Sequence, residues 1–212
     1  MSNGIKVLLA DDHAVVRDGV KLLLESEGFE VVGLAADGLE AVRLVQELKP
    51  EVAVLDRGMP RLNGVDAARE IRQSSPGTRL ILLTMETGEE HLLEALQAGF
   101  KGCVLKSYEA RELVQAIRAV VRGGTYLHPG LSRIVVDAYL ARTDMAPDPL
   151  SARERQVLQL LAEGKKTREV AELLFVSIKT AESHRARIMK KLGIHETAGL
   201  VRYALRQGLI QL

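Results

Sequence analysis

Val52-Ala53-Val54-Leu55-Asp56-Arg57-Gly58-Met59-Pro60 decides how the first half of this chain is read. Four apolar residues in a row describe a strand buried on both faces, and this strand ends on a carboxylate. The same grammar recurs on either side. Ile5-Lys6-Val7-Leu8-Leu9-Ala10 runs into Asp11-Asp12, Leu80-Ile81-Leu82-Leu83 into Thr84, and Cys103-Val104-Leu105 into Lys106. Amphipathic stretches separate the runs, and alternation of strand and helix implies a parallel sheet covered by helices. Such sheets bind ligands outside the carboxyl ends of their strands. Three carboxylates, a hydroxyl and an ammonium then converge on one rim. Crowded carboxylates suit a divalent cation with a taste for hard oxygen donors, magnesium above all. A hydroxyl and a lysine beside them suit a phosphoryl group. The rim reads as a place where an aspartate is phosphorylated.

Composition sets the frame. The chain has 212 residues, 47% hydrophobic and 27% charged, which is ordinary globular material with room for two modest domains. No apolar run approaches the roughly 20 residues of a membrane span, and no basic segment leads into an apolar core at the N-terminus. One cysteine, Cys103, forms no internal disulfide. These features fit a cytoplasmic protein with no membrane partner. The charge is uneven. Residues 148–212 carry 12 Lys and Arg against 7 Asp and Glu, a net of +5, and residues 1–147 carry 17 against 21, a net of −4. An acidic first part and a basic second part point to different partners, with nucleic acid for the second.

The periodicity predicts a five-stranded sheet, with strands near 5–10, 29–35, 51–56, 79–84 and 102–106. Helices are predicted near 13–26, 37–48, 64–73, 88–98 and 109–122. Residues 1–124 form this first domain, and 125–147 form a linker that contains a helix at 131–142 and ends in a proline-bearing stretch, 143–149. Residues 148–212 read as four helices. Ser151-Ala152-Arg153-Glu154 is a capping box, and Gly164 ends the helix it opens. A short helix after Thr167, a tight turn at Phe175-Val176 and a basic helix capped by Ser177 describe a helix-turn-helix. The fourth runs from about Glu196 to Gln207.

Asp11-Asp12, Leu55-Asp56-x-x-Met59-Pro60, Asn63-Gly64, Leu83-Thr84-Met85 and Leu105-Lys106-Ser107 together resemble a bacterial response-regulator receiver domain, of flavodoxin-like fold. Leu150-Ser151-x-Arg153-Glu154, Val170-Ala171, Val176-Ser177-x-Lys179-Thr180, His184-Arg185 and Lys191-Leu192-Gly193 resemble the DNA-binding domain of the NarL/FixJ (LuxR-type) branch. The resemblance spans nearly the whole chain, and the two motif sets stand in the family's order. It implies a two-component response regulator, not an enzyme. Asp56 is then the phosphate acceptor, modified by a partner histidine kinase. Asp11, Asp12, Asp56 and the carbonyl of Gly58 hold magnesium, Lys106 pairs with a phosphoryl oxygen, and Thr84 moves toward the phosphate. Phosphorylation then controls homodimerisation and binding to double-stranded DNA. Three positions depart from the family pattern. Cys103 stands where a rotating aromatic ring is usual in the switch, Phe100 where a small residue is common, and Gly58 offers no side chain beside the acceptor.

On the basic helix, Ile178, Ala181, Ile188 and Leu192 share one face and are expected to be buried. Lys179, Glu182, Ser183, Ala186, Arg187 and Lys190 lie opposite. Glu182 and Ser183 are the candidates for base edges, since glutamate accepts from a cytosine amino group and serine is permissive. Lys179, Arg185, Arg187 and Lys190 suit phosphates, while Thr180 and His184 match the family motif and are candidates for backbone contact, with core packing an equal reading of His184. Ala198, Leu200, Val201, Ala204 and Leu205 give the last helix an apolar face for pairing or for closing the domain. Two other readings stand beside the main one: a regulator that binds DNA without phosphorylation and uses the receiver as a dimer module, and a magnesium-dependent phosphatase acting through an aspartyl phosphate.

Overall fold

The computed structural model describes residues 4–85, 89–106, 110–127 and 149–210. The predicted helix at 131–142, most of the linker and Ser107 lie outside them. The chain divides into two compact units, residues 1–143 and 144–212.

The first unit is a parallel sheet of order β2-β1-β3-β4-β5-β6. Its strands are β1 Lys6–Ala10, β2 Glu30–Ala35, β3 Val52–Asp56, β4 Arg79–Thr84, β5 Gly102–Leu105 and β6 Tyr126–Leu127. The helices between them are α1 Ala14–Ser26, α2 Gly38–Leu48, α3 Gly64–Ser74, α4 Glu89–Ala98 and α5 Ala110–Val121. The alternating pleat assigns the core. Leu8, Ala10, Ala53 and Leu55 meet Ala41, Val45, Ala68, Ile71 and Ala95 of α2, α3 and α4 on one face. Val7, Leu9, Val52 and Val54 meet Leu24 of α1 and Leu113, Ala116 and Ile117 of α5 on the other. Both faces are covered, which is why the strands read as unbroken apolar runs.

One strand exceeds the five expected. Tyr126 and Leu127 pair with Gly102 and Cys103, so residues assigned to the linker continue the sheet. A two-residue strand of half-buried side chains leaves no periodicity to read.

The second unit is helical: α6 Ala152–Ala162, α7 Thr167–Leu173, α8 Ile178–Leu192 and α9 Thr197–Arg206. The capping box at Ser151 is present, with Ser151 N–H donating to Glu154 Oε2 at 2.8 Å and Glu154 N–H to Ser151 Oγ at 3.3 Å. Leu158, Leu160, Val170, Ala171, Ala181, Ile188, Leu200 and Ala204 close its core. Ile178 departs from expectation: it is 48% exposed. It is the first residue of α8, ahead of the turn whose Ala181 enters the core, so a helical wheel overstates its burial. Leu192, at the other end, is half-buried. Among the described residues, no helix is long and apolar enough to cross a membrane.

Candidate functional site

The parallel register brings the strand ends together. Ala10 pairs with Leu55, Asp56 with Leu83 and Thr84 with Leu105. Asp11, Asp56 and Thr84 therefore emerge side by side with Lys106, at the point where the strand order reverses between β1 and β3, the usual binding crevice of such sheets. Asp11 is fully buried, Asp56 and Thr84 nearly so, and Asp12 is exposed.

Lys106 Nζ lies 2.8 Å from Asp11 Oδ2 and 2.9 Å from Asp56 Oδ1. The second carboxylate oxygen, Asp56 Oδ2, is buried and has no hydrogen-bond partner among the described residues. A buried carboxylate oxygen left bare is costly. Ligand atoms of Asp11, Asp12, His13 and Asp56 all lie within 4.8 Å of one another.

The electrostatics follow from this packing. Burial pushes the Asp56 carboxyl above its usual range, and the neighbouring carboxylates of Asp11 and Asp12 push the same way, against the pull of Lys106. Burial alone would lower the Lys106 ammonium. Its hydrogen bonds to Asp11 and Asp56 and their negative charges outweigh that, and its pKa is raised.

The loop after Asp56 is shaped by small residues. A Cβ on Gly64 would sit 2.0 Å from the Asp56 carbonyl oxygen, so α3 begins hard against the end of β3. Asn63 caps α3 by accepting from the N–H groups of Val65 and Asp66. Gly64 N–H donates to the Arg57 carbonyl at 2.9 Å. Gly58 is half-buried.

Two residues near this site carry no signal that the sequence reading used. His13, 61% exposed, places Nδ1 2.8 Å from Asp12 Oδ1 and 3.3 Å from Asp11 Oδ1. Arg57 is 2% exposed and reaches α4, where it meets the His91 carbonyl, His91 Nδ1 and Glu94 Oε2. A charged residue after a strand reads as loop surface, and only its partners show otherwise. Cys103 is buried in the same core cluster as Phe100, and burial pushes its thiol up to about 12. That is the chemistry of an inert core thiol.

On α8, Lys179, Glu182, Ser183, Arg187 and Lys190 are exposed. Thr180 is exposed too, but its Oγ1 lies 2.8 Å from Ser177 Oγ and its N–H donates to that oxygen at 3.1 Å, so it belongs to the cap of the helix. Arg185 is half-buried and donates to Thr197 Oγ1 at 3.2 Å, toward α9. His184 is half-buried, with Nδ1 buried and unpartnered among the described residues. On α9, Leu200 and Ala204 enter the core, Val201 and Leu205 are half-buried and Ala198 is exposed.

Comparison with known proteins divides the chain in the same way. Residues 7–118 match the response regulator receiver domain, and residues 148–204 match the bacterial regulatory proteins of the luxR family. The oxygen regulatory protein NreC of Staphylococcus carnosus (strain TM300) is 40% identical over 215 residues, covering 97% of this chain and 99% of that protein. A two-component response regulator of the LuxR family from Aurantimonas sp. SI85-9A1 superposes with a TM-score of 0.62 at 37% identity, covering 65% of this chain and 99% of that one. RcsB from Salmonella enterica serovar Typhimurium, bound to promoter rprA in the presence of phosphomimetic BeF3-, gives 0.63 at 30% identity, covering 95% and 98%.

Proposed function

The chain belongs to the two-component response regulators that control transcription, with a receiver domain and a LuxR-type DNA-binding domain, and from that premise we propose that phosphorylation of Asp56 switches its binding to DNA. The observation that carries this reading is the bare, buried Asp56 Oδ2 beside Lys106 and the acidic cluster. A carboxylate is a serviceable nucleophile toward phosphorus once the incoming charge is offset.

The residues present fit magnesium. Asp11, Asp12 and Asp56 offer hard oxygen donors in one cluster, the family resemblance adds the carbonyl of Gly58, and Asp56 Oδ2 lacks any other partner among the described residues. A bound magnesium ion would neutralise charge on the phosphoryl oxygens and on the carboxylates. The protein's own groups do the rest. Asp56 supplies the attacking oxygen, Lys106 exchanges its contact with Asp56 for one with a phosphoryl oxygen, and Thr84 donates its hydroxyl to another. A sensor histidine kinase is the phosphodonor, acting in the cytoplasm.

The second unit binds double-stranded DNA through α7 and α8. Lys179, Arg187 and Lys190 hold phosphates, Glu182 and Ser183 read bases, and Thr180, Arg185 and His184 set the helix in place. Two copies on adjacent half-sites, paired partly through α9, supply contacts that one such domain lacks. The receiver spans residues 1–124, with β6 of the following segment completing its sheet, and residues 125–147 join it to the DNA-binding unit, 148–212.

The test is intact-mass measurement after incubation with magnesium and a small-molecule phosphodonor. Wild type gains one phosphoryl group, Asp56→Asn gains none, and only the modified wild type forms a dimer that shifts duplex DNA. DNA binding equal in both proteins would favour the phosphorylation-independent regulator.

A further inference from the structure

The leading end of α8 carries apolar surface that the polar reading residues leave unused. Ile178, the first residue of the helix, is 48% exposed, and Phe175 in the preceding turn is 96% exposed. Phe175 is held at φ +53°, a left-handed conformation unfavourable for an L-residue. The turn around them is well fixed. Val176 N–H donates to the Ala171 carbonyl at 3.0 Å, Ser177 caps the helix through Thr180 N–H, and Ala181 is fully buried. Ile178 is therefore presented on a rigid support.

The position matters because the N-terminal residues of the second helix in a helix-turn-helix are the ones that meet base edges. At about 100° per residue, Glu182 follows Ile178 one turn later and about 40° around the helix, along the same edge of the exposed face. Lys179, one residue on, is exposed beside it. The apolar surface is thus continuous with the DNA-facing one. A branched hydrocarbon cannot hydrogen-bond a base, and the one apolar group a base pair offers in the major groove is the thymine C5 methyl.

We infer that Ile178 reads the C5 methyl group of a thymine in the major groove, with Phe175 covering the outer side of that contact, so that Ile178 is a specificity-determining residue. The inference rests on DNA binding by α7 and α8. It also has a register. Four helical residues rise about 6 Å and base pairs stack about 3.4 Å apart, which puts this thymine about two base pairs from the cytosine assigned to Glu182.

The test uses the full-length protein, treated with magnesium and a small-molecule phosphodonor, to enrich binders from a randomised DNA duplex pool. Each thymine of the enriched duplex is then replaced in turn by deoxyuridine, which removes only the methyl. Wild type is expected to lose roughly fourfold in affinity at one such position, the effect of one buried methyl group. Ile178→Ser and Ile178→Asn bind the thymine and uracil duplexes alike, with the wild-type melting temperature, and Glu182→Ala keeps the thymine preference while losing the cytosine. Indifference of wild type to every uracil, or discrimination unchanged in both Ile178 variants, overturns the inference and leaves DNA binding standing; this apolar patch would then face a protein partner. Enrichment of no sequence by wild type overturns the DNA-reading assignment itself, and this inference with it.

Discussion

The guanidinium of Arg57 donates to Glu94 Oε2 at 3.1 Å, tying the residue that follows Asp56 to the middle of α4. Arg69 of α3 donates to the other oxygen of Glu94 at 3.1 Å, so a single carboxylate joins two arginines from different elements. Arg57 is nearly inaccessible while Glu94 keeps 26% of its side-chain surface. Removal of the carboxylate therefore takes the anion from a buried cation that keeps its contacts to His91, whereas removal of the cation leaves an anion that water and Arg69 still serve.

Glu94→Ala is accordingly expected to destabilise the first unit by about 1.5 kcal/mol, the lower end for a hydrogen bond to a charged group, and to speed amide hydrogen exchange in α4. Urea unfolding and exchange mass spectrometry measure both. A loss under about 0.5 kcal/mol would place the pair with ordinary surface ion pairs.

Lys106→Met should raise the Asp56 carboxyl further, because Lys106 is what opposes burial and the neighbouring carboxylates. A carbon-detected NMR titration of Asp56 reads this directly. Modification by a small-molecule phosphodonor should slow in the same variant and slow further as pH falls, since the attacking form is the carboxylate. An Asp56 titration identical to wild type would show that the 2.9 Å contact is electrostatically idle.

The second unit has its own pH dependence. Lys191 Nζ, 2.6 Å from Glu154 Oε2, with further help from Ser151, holds the Glu154 carboxyl down to about 2 from an ordinary 4.5. A carboxyl depressed on folding contributes stability that is present above pH 4.5 and is lost as pH falls from there through 2. Lys191 is 42% exposed, so solvent screening reduces the effect to about 1 kcal/mol. Glu154→Gln should lower the stability of the unit at pH 7 by about that amount and remove this part of its acid sensitivity. Denaturant curves at pH 7 and pH 3 supply the comparison.

Cys103 should be silent toward thiol reagents at pH 8 in the folded protein and react fully in denaturant, because it has no accessible surface and a thiol pKa near 12. Rapid reaction in the native state, followed by absorbance, would contradict its place in the core. Gly64→Ala tests the other tight point. With a Cβ 2.0 Å from the Asp56 carbonyl, it should cost about 3 kcal/mol, in the range of overpacked sites, and reduce phosphorylation together with stability.

The sequence by itself determined the layered plan and the meeting of four polar strand ends on one rim. Apolar runs such as Val52–Leu55 are strands because covered sheets demand hydrocarbon on both faces, and their polar terminators, Asp11, Asp56, Thr84 and Lys106, meet because parallel strands place their carboxyl ends on one side. The capping box at Ser151 and Glu154 was legible for the same reason, being local chemistry at fixed spacing. Tertiary structure alone decided the rest. Arg57 looks like a loop cation until Glu94 and His91, more than thirty positions along the chain, arrive beside it. Ile178 looks buried on a wheel, yet helix ends stop where the neighbouring helices stop. The role of Thr180 in the cap and the hold of Thr197 on Arg185 likewise depend on contacts that spacing cannot display. Periodicity reports which face of an element is apolar; only packing reports what that face, or a charge beside it, finally touches.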